Sequence, residues 1–205
     1  MLNLHVNAHL KDSLIPLSLG LGALLFVCTV VILAHSGDFV RDVADPEVMD
    51  TDSIETILQH AFQADVHQSL AGILTVSRNE RPLARATRRA AYVVLSNATL
   101  TRSKAAIAFA SNAPVRFASG HTAIGFEAAS HKLFGLSAKR LSIGEMALLC
   151  RTAITGRPPP TPDDALLLRN QLIGRLGQRG VLSSADIERE LARPFTLAPD
   201  PSPIY

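Results

Sequence analysis

The sequence contains no tryptophan, only two cysteines and few aromatic residues, which make up 5% of its 205 residues. Cys28 lies in an apolar run and Cys150 in a predicted helix, so a disulfide framework is not expected and both thiols should be buried and inert. A core that is poor in aromatic residues must be built from Leu, Ile, Val and Ala, which favours packed helices over a sheet. The net charge of +2 indicates no class of partner by itself.

Charged residues are missing altogether between Ser13 and Ala34. Since about 20 apolar residues cross a hydrocarbon layer of ~30 Å, residues 14–34 predict a single transmembrane helix after an N-terminal tail at 1–13. A cleaved signal peptide is one alternative, although its apolar core usually runs for about 7–15 residues, and a buried soluble helix is another. Lys11 and Asp12 offset each other, so flanking charge barely sets the orientation.

Polar and proline-rich segments divide the rest of the chain. Residues 35–52 are polar, acidic and interrupted by Pro46, which predicts a linker. Residues 195–205 are rich in proline and predict a disordered tail. Residues 53–194 lie between these segments and are long enough for one compact domain.

Helix signals follow one another closely within 53–194, without an internal repeat or a strong strand signal. Apolar residues recur in steps of three and four from Ser53 to Thr75, which predicts one helix there. Start signals for later helices follow at Pro82, at Ser103, near residue 123, at the capping box Ser142–Glu145, at Thr161 before Pro162, and at Ser183 or Ser184. Stop signals follow at Pro114, Gly135, Gly180 and Pro194. We therefore predict an all-α domain of short helices.

Four of these segments also occur in a characteristic order: GFEAASHKLFG, LSIGEMALL, a proline-rich turn after Arg157, and RNQLIGRL. Upstream, RPLAR at 81–85 and SKAAI at 103–107 are similar to the motifs R-T-L-x-R-K and S-K-x-x-I-L-E. Together they resemble the C-terminal half of the peptidoglycan glycosyltransferases, glycosyltransferase family 51. The resemblance implies a lysozyme-like, mainly helical domain on the outer face of the bacterial cytoplasmic membrane, periplasmic or extracellular, with lipid II as substrate.

The same resemblance implies substrate-binding roles for Arg81, Arg85 and Lys104. Of these, Arg81 and Arg85 match the basic motif expected to face the lipid-linked pyrophosphate, and Lys104 matches the lysine of S-K-x-x-I. The catalytic glutamates of the family are not found. No E-D-x-x-F motif is present, and Arg89 or, in a second register, Ala91 stands at the position of the second glutamate. Glu55, with His60 downstream, is the candidate for a relocated acid, although its helix is plainly amphipathic.

Arginines at 81, 85, 88 and 89 fall within about a third of the circumference of one predicted helix. Such a stripe can bind phosphates bidentately, contact anionic lipid headgroups or simply face solvent. His60 and His67, with Asp65 between them, lack the i,i+4 spacing that is typical of helical metal ligands. Ser119 and His121 lack an orienting acid.

Three hypotheses follow from the sequence. The preferred one is a single-pass, degenerate glycosyltransferase-like protein, weakly active or inactive, that binds a lipid-linked peptidoglycan precursor, a glycan strand or a cell-wall synthase. The second is an active transglycosylase with a relocated acid, and the third is a membrane-associated interaction domain that binds anionic lipid. We expect no metal, no cofactor and no nucleic-acid partner, since no nucleic-acid module is recognisable.

Overall fold

The computed structural model describes residues 29–34, 36–37, 39, 51–76, 81–117, 119–157 and 161–198. Helices hold 75% of these residues and strands 4%, so the protein is mostly helical, as predicted. The predicted tail at 1–13 and most of the predicted span at 14–34 lie outside the described residues, as does most of the predicted linker. No helix within the described ranges is long and apolar enough to cross a membrane.

The first two helices of the domain are α1 (Thr51–Phe62) and α2 (Val66–Val76). The single helix predicted over 53–75 is therefore wrong. The backbone of Gln63 adopts a left-handed conformation, with φ of 53°, and the Asp65 carboxylate accepts the amides of His67 and Gln68 at 2.9 and 3.1 Å. The periodicity did not reveal this break because apolar residues of both helices face the same core.

The next pair is α3 (Pro82–Thr99) and α4 (Arg102–Asn112), and both helices are confirmed. Pro82 occupies the first turn of α3, where its missing amide hydrogen leaves no broken helical bond. The Thr101 hydroxyl caps α4 by accepting the amide of Lys104 at 3.3 Å. Helix α2 packs against both α3 and α4, and α1 packs against α4.

A short antiparallel hairpin follows, with β1 at Pro114–Arg116 and β2 at Thr122–Ile124. Phe117 and residues 119–121 form its loop, as expected, but the helix predicted from residue 123 begins only at α5 (Phe126–Phe134) because 122–124 pair with β1. Gly125 connects the two with φ of 86°, and a Cβ there would lie 2.8 Å from the Ser111 carbonyl oxygen. Glycine is thus required at this junction.

Gly135 ends α5 in a left-handed conformation, as predicted, and a 3₁₀ turn follows at Ala138–Arg140. Glu127 of α5 holds this turn by accepting the amide of Ala138 at 2.9 Å and the hydroxyl of Ser137 at 3.3 Å. Partial burial raises the pKa of Glu127. The hydrogen bonds from Ala138 and Ser137 and the contact with His131 lower it by more, so the pKa lies below its ordinary value.

The final helices are α6 (Ile143–Thr155), α7 (Pro162–Gln178) and α8 (Ser184–Ala192). The predicted capping box is confirmed, since the Ser142 amide donates to Glu145 Oε2 at 2.7 Å and the Glu145 amide donates to Ser142 Oγ at 3.3 Å. Cys150 of α6 is fully buried, as expected, and burial raises the pKa of its thiol. Cys28 lies outside the described residues.

Arg169 of α7 is buried where α6, α7 and α8 meet, and its guanidinium donates to the carbonyl oxygen of Glu190. Burial lowers the pKa of Arg169, while the charges of Glu190 and Glu145 raise it. The Phe195 ring covers this guanidinium with its centroid 5.4 Å from Cζ.

The prediction of a disordered tail at 195–205 is therefore wrong for residues 195–198, and residues 199–205 lie outside the described residues. Phe195 also contacts the Phe134 ring edge-on at 6.1 Å, and the amide of Ala198 donates to the Leu133 carbonyl at 2.6 Å. Residues 195–198 belong to the domain because they cover apolar and cationic groups that would otherwise face water.

Candidate functional site

A cleft of about 600 Å³ opens between α2 and α3. Its floor comes from Phe109 of α4 and from Ala153 and Ile154 of α6. Its walls are formed by residues from the start of α2, the length of α2 and the first half of α3: Ala64, Asp65, Gln68, Ser69, Gly72, Ile73, Thr75, Pro82, Arg85, Ala86 and Arg89. One wall of the cleft is thus basic and the floor is apolar.

Arg85 and Arg89 stand four residues apart on α3, and both side chains line the cleft. Four residues correspond to about one helical turn, which stacks the two guanidinium groups on the same face. Arg89 reaches across towards α2, because a Cβ placed on Gly72 would lie 3.6 Å from Arg89 Nη2. The absence of a side chain at Gly72 leaves this part of the cleft open.

Two other predicted substrate-binding residues do not line the cleft. Arg81 is exposed and precedes the first turn of α3 as its N-cap residue. Lys104 is exposed in the first turn of α4. Of the four arginines in the predicted stripe, the structure therefore brings Arg85 and Arg89 together in the cleft, and Arg88 is half-buried.

The two residues predicted to stand at the position of the missing glutamate, Arg89 and Ala91, differ in their surroundings. Arg89 lines the cleft, whereas Ala91 is buried in the core with 2% of its surface exposed. Of these two residues, therefore, only Arg89 could contact a molecule bound in the cleft.

Asp65 is the one carboxylate among the cleft-lining residues that the structure describes. Both of its oxygens already have partners: Oδ1 accepts the two backbone amides that begin α2, and Oδ2 lies 3.4 Å from Nη2 of Arg102. A general base must have an oxygen free to accept a proton from the attacking hydroxyl. The contacts of Asp65 therefore assign it to helix capping.

Glu55, the predicted candidate for a relocated acid, does not line the cleft. Its Oε1 lies 2.8 Å from Nε of Arg102, and its side chain is 26% exposed. Arg102 therefore joins Glu55 of α1 to Asp65 at the start of α2. This arrangement accounts for Glu55 as part of an ion-pair network on the surface.

The histidine groups have separate surroundings. His67 is buried, and its Nδ1 lies 2.7 Å from the Ser96 hydroxyl of α3. His60 is half-buried and lines a different, smaller cavity. In the hairpin loop, Nδ1 of His121 lies 3.3 Å from the Ser119 hydroxyl, so those two side chains do meet, at an exposed position.

The sequence analysis did not predict that Asp65 caps α2 and lines the cleft. The signal was present, because Asp65 is followed three residues later by Gln68, which is the spacing of an N-cap pattern. The signal was overlooked because the apolar periodicity continues from the helix before Asp65 into the helix after it.

No protein-family model matches the chain, and no curated protein matches it either. The resemblance to the peptidoglycan glycosyltransferases remains a prediction. What the site offers chemically is two guanidinium groups above an apolar floor, an arrangement suited to binding an anion that carries an apolar group.

Proposed function

We propose that this chain is a membrane-anchored, glycosyltransferase-like protein on a lysozyme-like helical scaffold, which binds a lipid-linked pyrophosphate precursor without turning it over at an appreciable rate. The observation that carries the proposal is the pair Arg85 and Arg89 in one cleft, together with the implied role of Arg85 in facing the lipid-linked pyrophosphate. Its cellular setting would be cell-wall synthesis in the bacterial cytoplasmic membrane, with a glycan strand or a synthase as further partners.

The cleft matches the chemistry of such a ligand in two parts. Guanidinium groups bind phosphate oxygens through paired, charge-assisted hydrogen bonds. Ile154, which has 40% of its surface exposed, supplies apolar surface beside them, while Ile73 and Phe109 also line the cleft but are buried. The exposed Gln68 amide supplies both a donor and an acceptor for sugar hydroxyls. A diphosphate that joins a sugar to an isoprenyl chain presents all of these groups.

Helix electrostatics give independent support. The N-terminal end of a helix carries a partial positive charge that attracts anions. Arg85 lies near this end of α3, and the first turn of α3 has no acidic residue. An anion bound beside Arg85 would therefore also interact favourably with the helix terminus.

The proposed loss of turnover is argued from the carboxylates, because none of those considered is placed to act as the general base. A sugar hydroxyl that attacks an anomeric carbon must lose its proton, and a positioned base contributes about 10²–10⁴-fold to such a step. Asp65 is engaged in capping and in an ion pair, and Glu55 stands outside the cleft. Binding would therefore be retained while turnover is largely lost.

The binding test uses the full-length protein in a nonionic maltoside detergent, with farnesyl pyrophosphate as the probe and farnesol as its uncharged counterpart. The double variant Arg85→Gln/Arg89→Gln should weaken binding of the diphosphate by at least about tenfold, because each hydrogen bond to a charged group contributes roughly 1.5–3 kcal/mol. Farnesol binding should change little.

The matched control for that test is Arg116→Gln/Arg140→Gln, which removes the same charge from two exposed positions outside the cleft. Equal weakening by both double variants would contradict a specific site in the cleft. Polymerisation of lipid II by the purified wild-type protein would contradict the inactive part, and loss of that turnover in Glu55→Gln would instead support a relocated acid.

A second candidate function, binding of anionic lipid surfaces, is favoured by one observation. Residues 81–87 of α3 and its N-cap are all exposed, and Leu83 has 77% of its surface exposed among the arginines. Exposed cations near a membrane contribute about 1 kcal/mol each. Sedimentation with phosphatidylglycerol vesicles that fails in high salt, with no preference for a diphosphate, would favour this function over the first.

A further inference from the structure

A second cavity of about 440 Å³ lies where the end of α1 meets the end of α7, and we call it the α1–α7 notch. It is lined by His60, Ala61, Phe62, Gln63, Arg175, Gln178 and Arg179. Five of these seven side chains carry nitrogen groups that can donate hydrogen bonds, and none is acidic. From this composition we propose that the notch is a separate binding site for a phosphate-type oxyanion.

The two arginines provide the charge. Arg175 and Arg179 are four residues apart at the end of α7, and both line the notch. Within the described ranges, neither guanidinium has an ion pair, although the domain pairs other exposed arginines with carboxylates. Two unpaired guanidinium groups beside an imidazole concentrate positive charge in a concave surface, where it attracts an anion most strongly.

Gln63 provides a second, independent indication. Its φ of 53° is in the left-handed region, which glycine or asparagine usually occupies at the end of a helix. Glutamine does not favour this backbone conformation as glycine or asparagine does, but its side chain lines the notch. An unfavourable backbone conformation that is retained by a residue with a useful side chain points to a role for that side chain.

Stabilisation of helix ends is the competing explanation, since cations near a helix C-terminus interact favourably with its partial negative charge. This explanation covers His60 and Arg175, which lie in the last turns of α1 and α7. It does not account for glutamine at position 63, and it predicts no response of the notch to phosphate. The two explanations therefore differ in a measurable way.

The chain offers a specific reporter, because it contains five glutamines. Gln63 and Gln178 line the notch, Gln68 lines the cleft, and Gln59 and Gln171 are exposed outside both cavities. Full-length protein labelled with ¹⁵N-glutamine in maltoside micelles is titrated with inorganic phosphate, and the side-chain amides are followed by NMR. We expect saturable shifts at Gln63 and Gln178 and none at Gln59 and Gln171.

Gln68 separates this inference from the proposed function. A response of Gln68 without Gln63 and Gln178 would support the cleft and overturn the notch, and the converse would support the notch while leaving the cleft without its anion. A uniform drift of all five amides would also overturn the notch, because it would show that phosphate acts through ionic strength alone.

Two variants complete the test. Arg175→Gln/Arg179→Gln should weaken phosphate binding at the notch by at least about tenfold, whereas Arg116→Gln/Arg140→Gln should leave it unchanged. Gln63→Gly relieves the backbone and removes the amide, so it should raise stability while reducing affinity by about threefold. Unchanged affinity in Gln63→Gly would overturn the role of Gln63 even if the double variant failed to fold.

Discussion

Two helical glycines offer a paired test of the packing, because they differ in what a side chain would meet. Gly144 lies in the first turn of α6, and a Cβ there would fall 2.9 Å from Cγ of Arg169 and 3.0 Å from Cδ1 of Ile173. A Cβ on Gly72 in α2 would meet only the guanidinium of Arg89, at 3.6 Å. Alanine should therefore be rejected at the first position and accepted at the second.

The expected magnitudes follow from two opposing effects. Replacing glycine by alanine favours a helix by up to about 1 kcal/mol. Overpacking a filled interior costs about 1–3 kcal/mol, and Arg169 cannot move aside easily because its guanidinium is bonded to Glu190 and covered by Phe195. We expect Gly144→Ala to lower the free energy of unfolding by about 1–2 kcal/mol, and Gly72→Ala to raise it by about 0.5–1 kcal/mol.

Urea unfolding of the full-length protein, followed by circular dichroism, measures both changes. In a protein of this size about 1 kcal/mol corresponds to a shift of roughly 2–4 °C in the melting temperature, which gives a second readout. A Gly144→Ala protein as stable as the wild type would refute the close contact with Arg169. A loss of stability in Gly72→Ala would refute the open space assigned to the cleft.

Three further predictions concern charges. Arg102→Met should lower the free energy of unfolding by up to about 1 kcal/mol at low salt, and the difference should largely vanish at 1 M salt, because Arg102 is 53% exposed and its ion pairs are screened. Asp65→Ala should cost about 1 kcal/mol through loss of the cap, and Asp65→Asn should cost much less, as compared by urea midpoints; equal losses would exclude capping as the cause. Because the folded pKa of Glu127 is depressed, its carboxylate stabilises the domain above its ordinary pKa of 4.5 and this stability is lost as the pH falls through the folded value. Glu127→Gln should therefore flatten the acid side of the curve of stability against pH, and a parallel curve would contradict the assignment.

Local signals in the sequence were sufficient for most helix ends. The capping box at Ser142, the Thr161–Pro162 start and Gly135 each satisfy or break backbone hydrogen bonds within a few residues, so neighbours in the chain determine them. The break at Gln63 was missed because it depends on a non-glycine residue in a left-handed conformation. The hairpin at 114–124 was missed because each strand has only three residues, too few to show alternation.

The candidate site was only half predictable for a related reason. Arg85 and Arg89 share a face of one helix, so their convergence follows from helical spacing. The ion pairs that Arg102 forms with Glu55 and Asp65 were not predictable, because the three residues come from separate parts of the chain that meet only in the folded domain. The role of Arg102 was not predicted, because pairing across helices leaves no periodic signal in the sequence.

The contacts of residues 195–198 bear on how the protein is handled in the laboratory. A fragment trimmed to the end of α8 would remove Phe195 and the Ala198 amide, leaving the Arg169 guanidinium without its aromatic cover and α5 without a backbone partner. Such a fragment would lack the segment that contacts both α5 and α7. Poor solubility of that fragment would therefore result from the removal of these residues and would not describe the intact domain. Expression designs should therefore keep the chain at least to Ala198.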